Sequence, residues 1–380
     1  MNHTSNKDLL IFIPYFLPDH SYGGPIVSVN ALINTIGFRK RIFLYSTSLF
    51  FSSQKKFSKN AKGNKFIYKI IRNDSHFKNF INTMIVLLKS KQKTIYINSF
   101  FYAPNSIPFF LLSYLLIKKN NRLIISPRAE LQESKIQSKK RILKKVLILI
   151  FRKFSSSKII FLSSSDSEMI FNKKYFKENI HIKIPNLPKF KNFLVREYSK
   201  SRTKKVIFFS RISKEKRLDI FLQSLIAEKN KLEIELTILG SYHDKNYFKL
   251  IKRLCTKLKQ KGYKIIVSGH KNISQKFLSK YDIMILPSMG ENFSHTTVES
   301  SQSGLFCLIS DQTPWFKKTE SAKLGLTCIP PDQSSKYIES IKKITKLNES
   351  KFNELIVEQQ KEVKKIIKAS CKKMENFFVN

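Results

Sequence analysis

Acidic residues are scarce in this sequence. Its 380 residues contain 27 Asp and Glu against 70 Lys and Arg, which gives a formal net charge of +43 at pH 7. Such an excess needs screening or an anionic partner, and nucleic acid, an anionic membrane or a phosphorylated substrate would each serve. A lysine-rich surface can also follow from composition alone, so the charge does not choose among these partners.

Cysteine is equally scarce. The four cysteines, Cys255, Cys307, Cys328 and Cys371, show no paired spacing, and two of them lie in apolar runs. This pattern argues against a disulfide framework or a zinc finger and indicates reduced thiols in a cytoplasmic protein. The first residues also lack a basic segment followed by a long apolar core, so no secretion signal is expected.

Residues 94–117 carry no charge and are long enough to cross a bilayer. Pro104 and Pro108, together with two Asn-Ser pairs, divide this run into a strand, a loop and a short helix. A buried strand-loop-helix unit is therefore favoured over a membrane span.

Apolar runs alternate with helical segments along the chain, which predicts mostly parallel sheets covered by helices. A basic, Pro-containing stretch precedes a second series of this kind and places a domain boundary near residue 200. The predicted fold class is α/β, with two Rossmann-like doubly wound domains, 1–200 and 201–350, facing a cleft. Residues 351–380 form a helical tail that can pack back on the first domain. Ligands are expected where the strands end at their carboxyl edges.

One such strand end leads into PSMGENFSHTTVES, residues 287–300. Ser294 is expected to cap the following helix and Gly304 to end it. The N–H groups of GENFS and the positive end of the helix dipole suit a diphosphate. In helical geometry Glu291 and Glu299 would lie about 80° apart. Both could then accept hydrogen bonds from sugar hydroxyls, although two solvated carboxylates are the simpler alternative.

This segment and its continuation LFCLISDQTPW resemble the retaining GT-B glycosyltransferases of sequence family 4. ISDQTPW is close to a form found in bacterial surface-polysaccharide enzymes, and the resemblance is most specific from 206 to 315. It implies transfer of a sugar from a nucleotide-sugar donor to a hydroxyl of a saccharide or polyprenyl-linked acceptor, without a cofactor.

The resemblance also implies roles for individual residues. Glu291 would contact hydroxyls of the donor sugar, and Glu299 would bind the nucleotide ribose. The N–H groups of Asn292, Phe293 and Ser294 would approach the phosphate and sugar. The family usually has glycine where Ser294 stands, which leaves the backbone conformation there open.

FFSRISKEKRLDIFLQSL resembles the strand-loop-helix unit that brings two cations, here Arg211 and Lys216, to the donor diphosphate. Such cations offset the negative charge that builds on a leaving nucleotide. Two exposed cations in a lysine-rich protein are the alternative. Gly240 in ILGSYHDKNY corresponds to a strand end near the nucleotide, and Lys271 in SGHKNIS to the segment that contacts the base.

In the first domain, Gly23 and Gly24 of SYGGP separate a strand from a helix. They either let a phosphate or acceptor approach the backbone or form an ordinary turn. ISPRAELQESK resembles an acceptor-side loop, which places Arg128 and Glu130 at the cleft.

No Asp-x-Asp triplet occurs, which argues against the other major glycosyltransferase fold, where such a pair holds a divalent ion. The nearest match, Asp166-x-Glu168, begins a helix and is interpreted as capping charge. Metal-independent chemistry is therefore expected, and the family resemblance implies that Arg211, Lys216 and Glu291 carry out the catalysis.

KKRILKKVLILIFRK, residues 139–153, has seven basic residues and no acidic ones. It predicts either a basic helix resting on anionic headgroups of the inner membrane face or a core helix with a solvated lysine rim. Two other functions stay open. One is a sugar-nucleotide epimerase with the same fold, and the less favoured one is a nucleic-acid-binding protein, for which no recognised motif is present.

Overall fold

The structure is a computed structural model. It describes residues 7–16, 24–37, 39–46, 56–59, 65–68, 75–137, 140–190, 192–195, 203–242, 244–269 and 273–379. The chain forms two compact units, one of Met1–Leu187 with Ala369–Asn380 and the other of Pro188–Lys368. The sequence predicts a boundary near residue 200, and the units divide between Leu187 and Pro188.

The first unit is built on a sheet in the order β3-β4-β2-β1-β5-β6-β7-β8, parallel except where β3 pairs with β4. Its strands are β1 (Leu9–Ile13), β2 (Ile42–Ser46), β3 (Lys56–Lys59), β4 (Lys65–Tyr68), β5 (Thr94–Ile97), β6 (Arg122–Ile125), β7 (Ile160–Ser163) and β8 (Ile180–Lys183). Its helices are α1 (Gly24–Ile36), α2 (His76–Leu88), α3 (Ala103–Leu111), α4 (Ser113–Lys118), α5 (Glu133–Ile136), α6 (Arg141–Phe154) and α7 (Asp166–Tyr175).

Both faces of this sheet are buried. In β1, Leu9 and Ile11 belong to one apolar cluster, whereas Leu10 and Phe12 belong to another. Successive side chains of a strand point to opposite faces, so a strand covered on both sides is apolar throughout. This explains why LLIFI shows no alternation of apolar and polar residues.

The uncharged run at 94–117 folds as β5, a loop, and then α3 and α4. Pro104 lies in the first turn of α3, where its missing N–H is tolerated, and Pro108 lies inside the helix. Among the helices of the described residues, none combines the length and the apolar character that a membrane span requires.

The second unit is built on a parallel sheet in the order β11-β10-β9-β12-β13. Its strands are β9 (Lys204–Phe209), β10 (Ile234–Leu239), β11 (Lys264–Ser268), β12 (Ile283–Leu286) and β13 (Phe306–Ile309). Its helices are α8 (Leu218–Ala227), α9 (Lys245–Gln260), α10 (Gln275–Leu278), α11 (His295–Gln302), α12 (Glu320–Lys323) and α13 (Ser334–Lys346), and a 3₁₀ turn spans Lys214–Lys216. The last helix, α14 (Glu349–Val379), belongs to this unit up to Lys368 and to the first unit from Ala369 onward.

The helix α9 shows how the sequence dictates these elements. The Asp244 side chain accepts the Tyr247 N–H at 2.9 Å and so caps the first turn. Tyr247, Ile251, Leu254 and Leu258 recur at helical spacing and are buried, while lysines occupy the outer face. The helix therefore covers the sheet with one apolar stripe. The predicted α/β fold class, with two doubly wound units, is confirmed.

Candidate active site

The chain changes direction across the second sheet between β9 and β12. β9 is the first strand, β10 and β11 follow on one side of it, and β12 and β13 lie on the other. Loops that leave neighbouring strands in opposite directions open a crevice at the carboxyl ends of those strands. The loops after β9 and β12 carry Arg211, Lys216 and Glu291, so the fold gathers these predicted residues at one edge.

Lys216 and Glu291 form an ion pair across this reversal. The Lys216 Nζ donates to Oε1 of Glu291, and each side chain is 13% exposed. The backbone ties the same two loops together, because the Met289 N–H donates to the Glu215 carbonyl at 2.9 Å. Low exposure strengthens the attraction and makes either charge costly alone. A cation and a carboxylate are thus held side by side.

Arg211 supplies a second cation. Its side chain is exposed, and within the described residues its guanidinium has no hydrogen bond or ion pair. The neighbouring Ile212 is anchored by an N–H donated to the Ser241 carbonyl at 2.8 Å. Gly240 permits this approach, since a Cβ there would lie 1.9 Å from the Ser210 carbonyl oxygen. The glycine assigned to the donor site therefore positions the loop that bears Arg211.

The helix α11 begins directly after the loop that carries Glu291. Ser294 does not cap this helix, contrary to the prediction. Ser294 is at the N-cap position with φ 56°, and its side chain accepts no backbone N–H. Its hydroxyl instead hydrogen-bonds the Thr297 hydroxyl at 2.7 Å. The conformation is left-handed, the region that glycine adopts without strain. N–H groups at a helix start lack intrahelical partners, so the start of α11 suits an anion.

The loop between Glu291 and Ser294 is braced from the next strand-helix connection. The Trp315 Nε1–H donates to the Phe293 carbonyl, and the two buried rings pack edge to face with centroids 5.5 Å apart. The Glu291 N–H donates to the Gln312 carbonyl at 3.2 Å. The role of Trp315 was not predicted from the sequence, although a single tryptophan next to a predicted site was the available signal.

Glu299 lies in the second turn of α11 and is 8% exposed. Burial raises the pKa of its carboxyl to about 7, and the nearby Lys189 charge opposes that rise. No residue that the structure describes hydrogen-bonds this carboxylate. A buried acceptor with spare capacity is suited to hydroxyl donors from a ligand. Lys189, an exposed residue that also donates to the Ile273 carbonyl at 2.8 Å, was not predicted.

In the first unit Arg128 follows β6, at the carboxyl edge of that sheet. Its guanidinium donates to the side chains of Asn98 and Asn186 and, at 2.8 Å, to the Tyr96 hydroxyl. Both Arg128 and Ala129 have positive φ, 57° and 64°. Arg128 thus links the ends of several strands through hydrogen bonds, and its contact with an acceptor stays a prediction.

Glu130 is likewise engaged by its own unit. Its carboxylate accepts the Ser99 hydroxyl at 2.9 Å and the N–H groups of Phe100 and Phe101 at 2.8 and 2.7 Å. Burial nevertheless leaves the pKa of this carboxyl above its usual range. The structure shows Glu130 holding the loop after β5, and an acceptor role stays a prediction.

The Asp166-x-Glu168 pair also acts within the unit. Both residues lie in the first turn of α7, where Ser165 is the cap that accepts the Glu168 N–H. Glu168 is fully buried and accepts the Ala129 N–H at 2.8 Å and the Ser164 N–H at 2.7 Å. It therefore fixes the unusual backbone beside Arg128, a role that sequence reasoning missed.

The other predicted residues are placed as follows. Asn292 is half-buried in the loop before α11, and Gly24 is the first residue of α1. Gly23 and Lys271 lie outside the described residues. Across the described ranges, no group of three or more His, Cys, Asp or Glu is arranged to hold a metal ion.

Residues 190–365 match the family model described as glycosyl transferases group 1. Sucrose-phosphate synthase from Thermosynechococcus elongatus is 10% identical in an alignment that covers 98% of each chain, with a TM-score of 0.69. HepE from Anabaena, solved in complex with UDP-glucose, is 12% identical over 97% of this chain and 99% of that chain, with a TM-score of 0.64. No curated protein sequence gives a match.

The likeness to these structures shows the fold, with two Rossmann-like units of the GT-B class. The family match covers the unit that contains Lys216, Glu291 and Glu299. The chain is therefore a glycosyltransferase with the GT-B fold.

Proposed function

We propose that the chain is a retaining glycosyltransferase of sequence family 4. It would move a sugar from a nucleotide-sugar donor to a hydroxyl of a saccharide or polyprenyl-linked acceptor in bacterial surface-polysaccharide biosynthesis. The single observation that carries the proposal is the Lys216–Glu291 ion pair at the reversal of the second sheet, beside the start of α11. It combines a cation for phosphate with a carboxylate for sugar hydroxyls.

The donor diphosphate would lie between Arg211, Lys216 and the N-terminal end of α11. As the bond from the anomeric carbon to the diphosphate breaks, negative charge grows on the leaving phosphate. The two cations and the helix N–H groups would stabilise this charge. Glu291 would orient the sugar through its hydroxyls, and Glu299 would accept hydrogen bonds from the ribose.

The acceptor hydroxyl would attack the anomeric carbon from the face that the diphosphate leaves. The departing phosphate oxygen takes the hydroxyl proton, so no enzyme nucleophile and no metal ion is required. This path retains the anomeric configuration. We assign the acceptor to the first unit, with Arg128 and Glu130 as its predicted neighbours, whereas Gly23 and Gly24 are predicted to border the donor. We also propose that the enzyme works at the cytoplasmic face of the membrane.

A thermal-shift screen against UDP, GDP, ADP and their sugar conjugates tests the donor site. UDP is the first candidate, because the Anabaena neighbour was solved with UDP-glucose. A ligand that binds only the folded state raises its stability by about 2.7 kcal/mol at a hundredfold excess over Kd. Lys216→Ala and Arg211→Ala should lose most of this shift.

Lys214→Ala is the matched control, because Lys214 is an exposed lysine of the same 3₁₀ turn. Equal nucleotide shifts in Lys216→Ala and Lys214→Ala would reject the assignment of Lys216. Incubation of the protein with the stabilising nucleotide sugar and no acceptor then separates two activities. Conversion to another nucleotide sugar would indicate an epimerase, whereas a product formed only with an acceptor indicates transfer.

A further inference from the structure

The helix α6 presents much of its apolar surface to solvent. Only Ile148 and Phe151 are buried in the core of the first unit. The exposed apolar residues are Ile142 at 79%, Leu143 at 52%, Val146 at 44%, Leu149 at 62%, Ile150 at 39% and Phe154 at 37%. A core helix with a polar rim would bury this many aliphatic side chains, so that interpretation of the basic segment is not sufficient.

Neighbouring helices extend this exposed surface. The helix α3 packs against both α2 and α6, and the Ser113 hydroxyl at the start of α4 donates to the Phe154 carbonyl at 2.6 Å. Further exposed apolar residues are Phe77, Ile81, Ile85 and Leu88 on α2, Leu111 on α3, and Tyr114 and Leu115 on α4. We call the exposed apolar residues of α2, α3, α4 and α6 the helical face. Many exposed apolar side chains on neighbouring helices indicate a docking surface.

The charge around the helical face has one sign. Between Ser75 and Ser165 the only acidic residues are Glu130 and Glu133. Glu130 is engaged by three donors of its own unit, and Glu133 pairs with Lys174. The basic residues of α6 are Arg141, Lys144, Lys145, Arg152 and Lys153. Lysine and arginine stems lie along apolar surface while their charges reach outward, as at a lipid headgroup boundary.

We propose that the helical face docks on a bilayer rich in anionic lipids, with its apolar side chains among the acyl chains and its cations at the headgroups. A second copy of the chain would bring the same uncompensated cations together, which opposes self-association. Nucleic acid would satisfy the cations but would leave the aliphatic centre in water. A bilayer matches both the charge and the apolar surface. This inference goes beyond the proposed function because the helical face contains none of the predicted donor residues.

Vesicle sedimentation with the full-length protein tests this surface. Neutral phosphatidylcholine vesicles are compared with vesicles containing phosphatidylglycerol, at low and high salt. Binding should require the anionic lipid and weaken with salt. The variant Ile142→Asp/Leu149→Asp should bind at least about tenfold more weakly, since two large side chains lose their burial in lipid. Val357→Asp, which changes an exposed aliphatic residue on α14, is the control and should bind normally.

Folding of each variant is checked through its thermal shift with the nucleotide that stabilises the wild type. A variant that keeps this thermal shift but no longer binds vesicles supports the docking surface, whatever the outcome of the transferase assay. If no nucleotide stabilises the wild type or its variants, far-ultraviolet circular dichroism is used to check that each variant is folded. Undiminished vesicle binding by Ile142→Asp/Leu149→Asp would overturn the proposal. The proposal would also be overturned if the wild type formed a dimer, bound no vesicles, and became monomeric in this variant. Binding of the wild type to DNA but not to vesicles would overturn it as well.

Discussion

Glu299 is a single carboxyl whose ionisation is linked to stability. Burial raises its pKa from 4.5 to about 7. Between these values the unfolded chain releases the proton first, so rising pH favours unfolding. The stability present below pH 4.5 should fall as pH rises and be lost once pH exceeds 7, by on the order of 3 kcal/mol. Urea unfolding from pH 4.5 to 8 measures this slope.

The variant Glu299→Gln isolates this contribution, because glutamine keeps the shape and does not ionise. Its free energy of unfolding should decline less than that of the wild type over this pH range. Glu235→Gln provides the comparison, since Glu235 is a more exposed carboxylate paired with Lys264 at the surface. Parallel curves for Glu299→Gln and wild type would show that Glu299 ionises normally.

Gly240 gives a second prediction at the residue scale. A methyl group at this position would overlap the Ser210 carbonyl oxygen, a backbone atom that cannot move away cheaply. Gly240→Ala should therefore destabilise the protein by about 1–3 kcal/mol and weaken nucleotide binding, because Arg211 shifts with the loop. Gly269→Ala is matched, since Gly269 also follows a strand and a Cβ there meets nothing within 4 Å. Equal denaturant midpoints for the two variants would contradict this account.

At the scale of elements, the loop from Glu291 to Ser294 is joined to the connection after β13. Trp315 is the only tryptophan, and it contacts Phe293 through a ring and a hydrogen bond. Nucleotide bound at the start of α11 should therefore change the intrinsic tryptophan fluorescence, without any added label. Titration with the stabilising nucleotide checks this, and the change should saturate at the Kd found by thermal shift. A constant spectrum at saturation would place the nucleotide away from this loop.

The sequence predicted elements better than it predicted side-chain partners. β12, α11 and β13 follow from an apolar run, a polar turn and Gly304, which are all local signals. The Lys216–Glu291 pair and the Trp315 brace join loops distant in sequence, and only the strand order determines that they meet. The capping role of Ser294 was wrong because its positive φ directs the hydroxyl to Thr297, and a sequence does not reveal that φ.

Glu130 shows the same limit in the first unit. A charged residue after a strand is typical of a ligand contact. In the folded loop, however, three donors already hydrogen-bond the Glu130 carboxylate. Arg128 is similar, because its partners Asn98 and Asn186 come from other strand ends. The pattern of apolar runs predicts that these residues lie at strand ends. Whether a charged side chain there can still bind a substrate depends on long-range contacts, which the pattern does not reveal.

For the whole molecule, both units place their predicted site residues where parallel strands end. The first sheet also changes direction beside its first strand, with β2 on one side of β1 and β5 on the other. Arg128 and Glu130 follow the strand next to β5. One construction rule, repeated in two units, thus accounts for the placement of the predicted donor residues and of the predicted acceptor residues.

The long helix α14 has a consequence for biosynthesis. Its residues up to Lys368 belong to the second unit, whereas Met374, Phe377 and Phe378 are buried with Leu9 and Ile11 in the core of the first. The side chains of Lys40 and Arg122 also bind carbonyls of its last turn. During synthesis the first domain therefore emerges from the ribosome without the last part of its core. That core closes only after the second domain has been synthesised. The part of the protein made first is the last to mature.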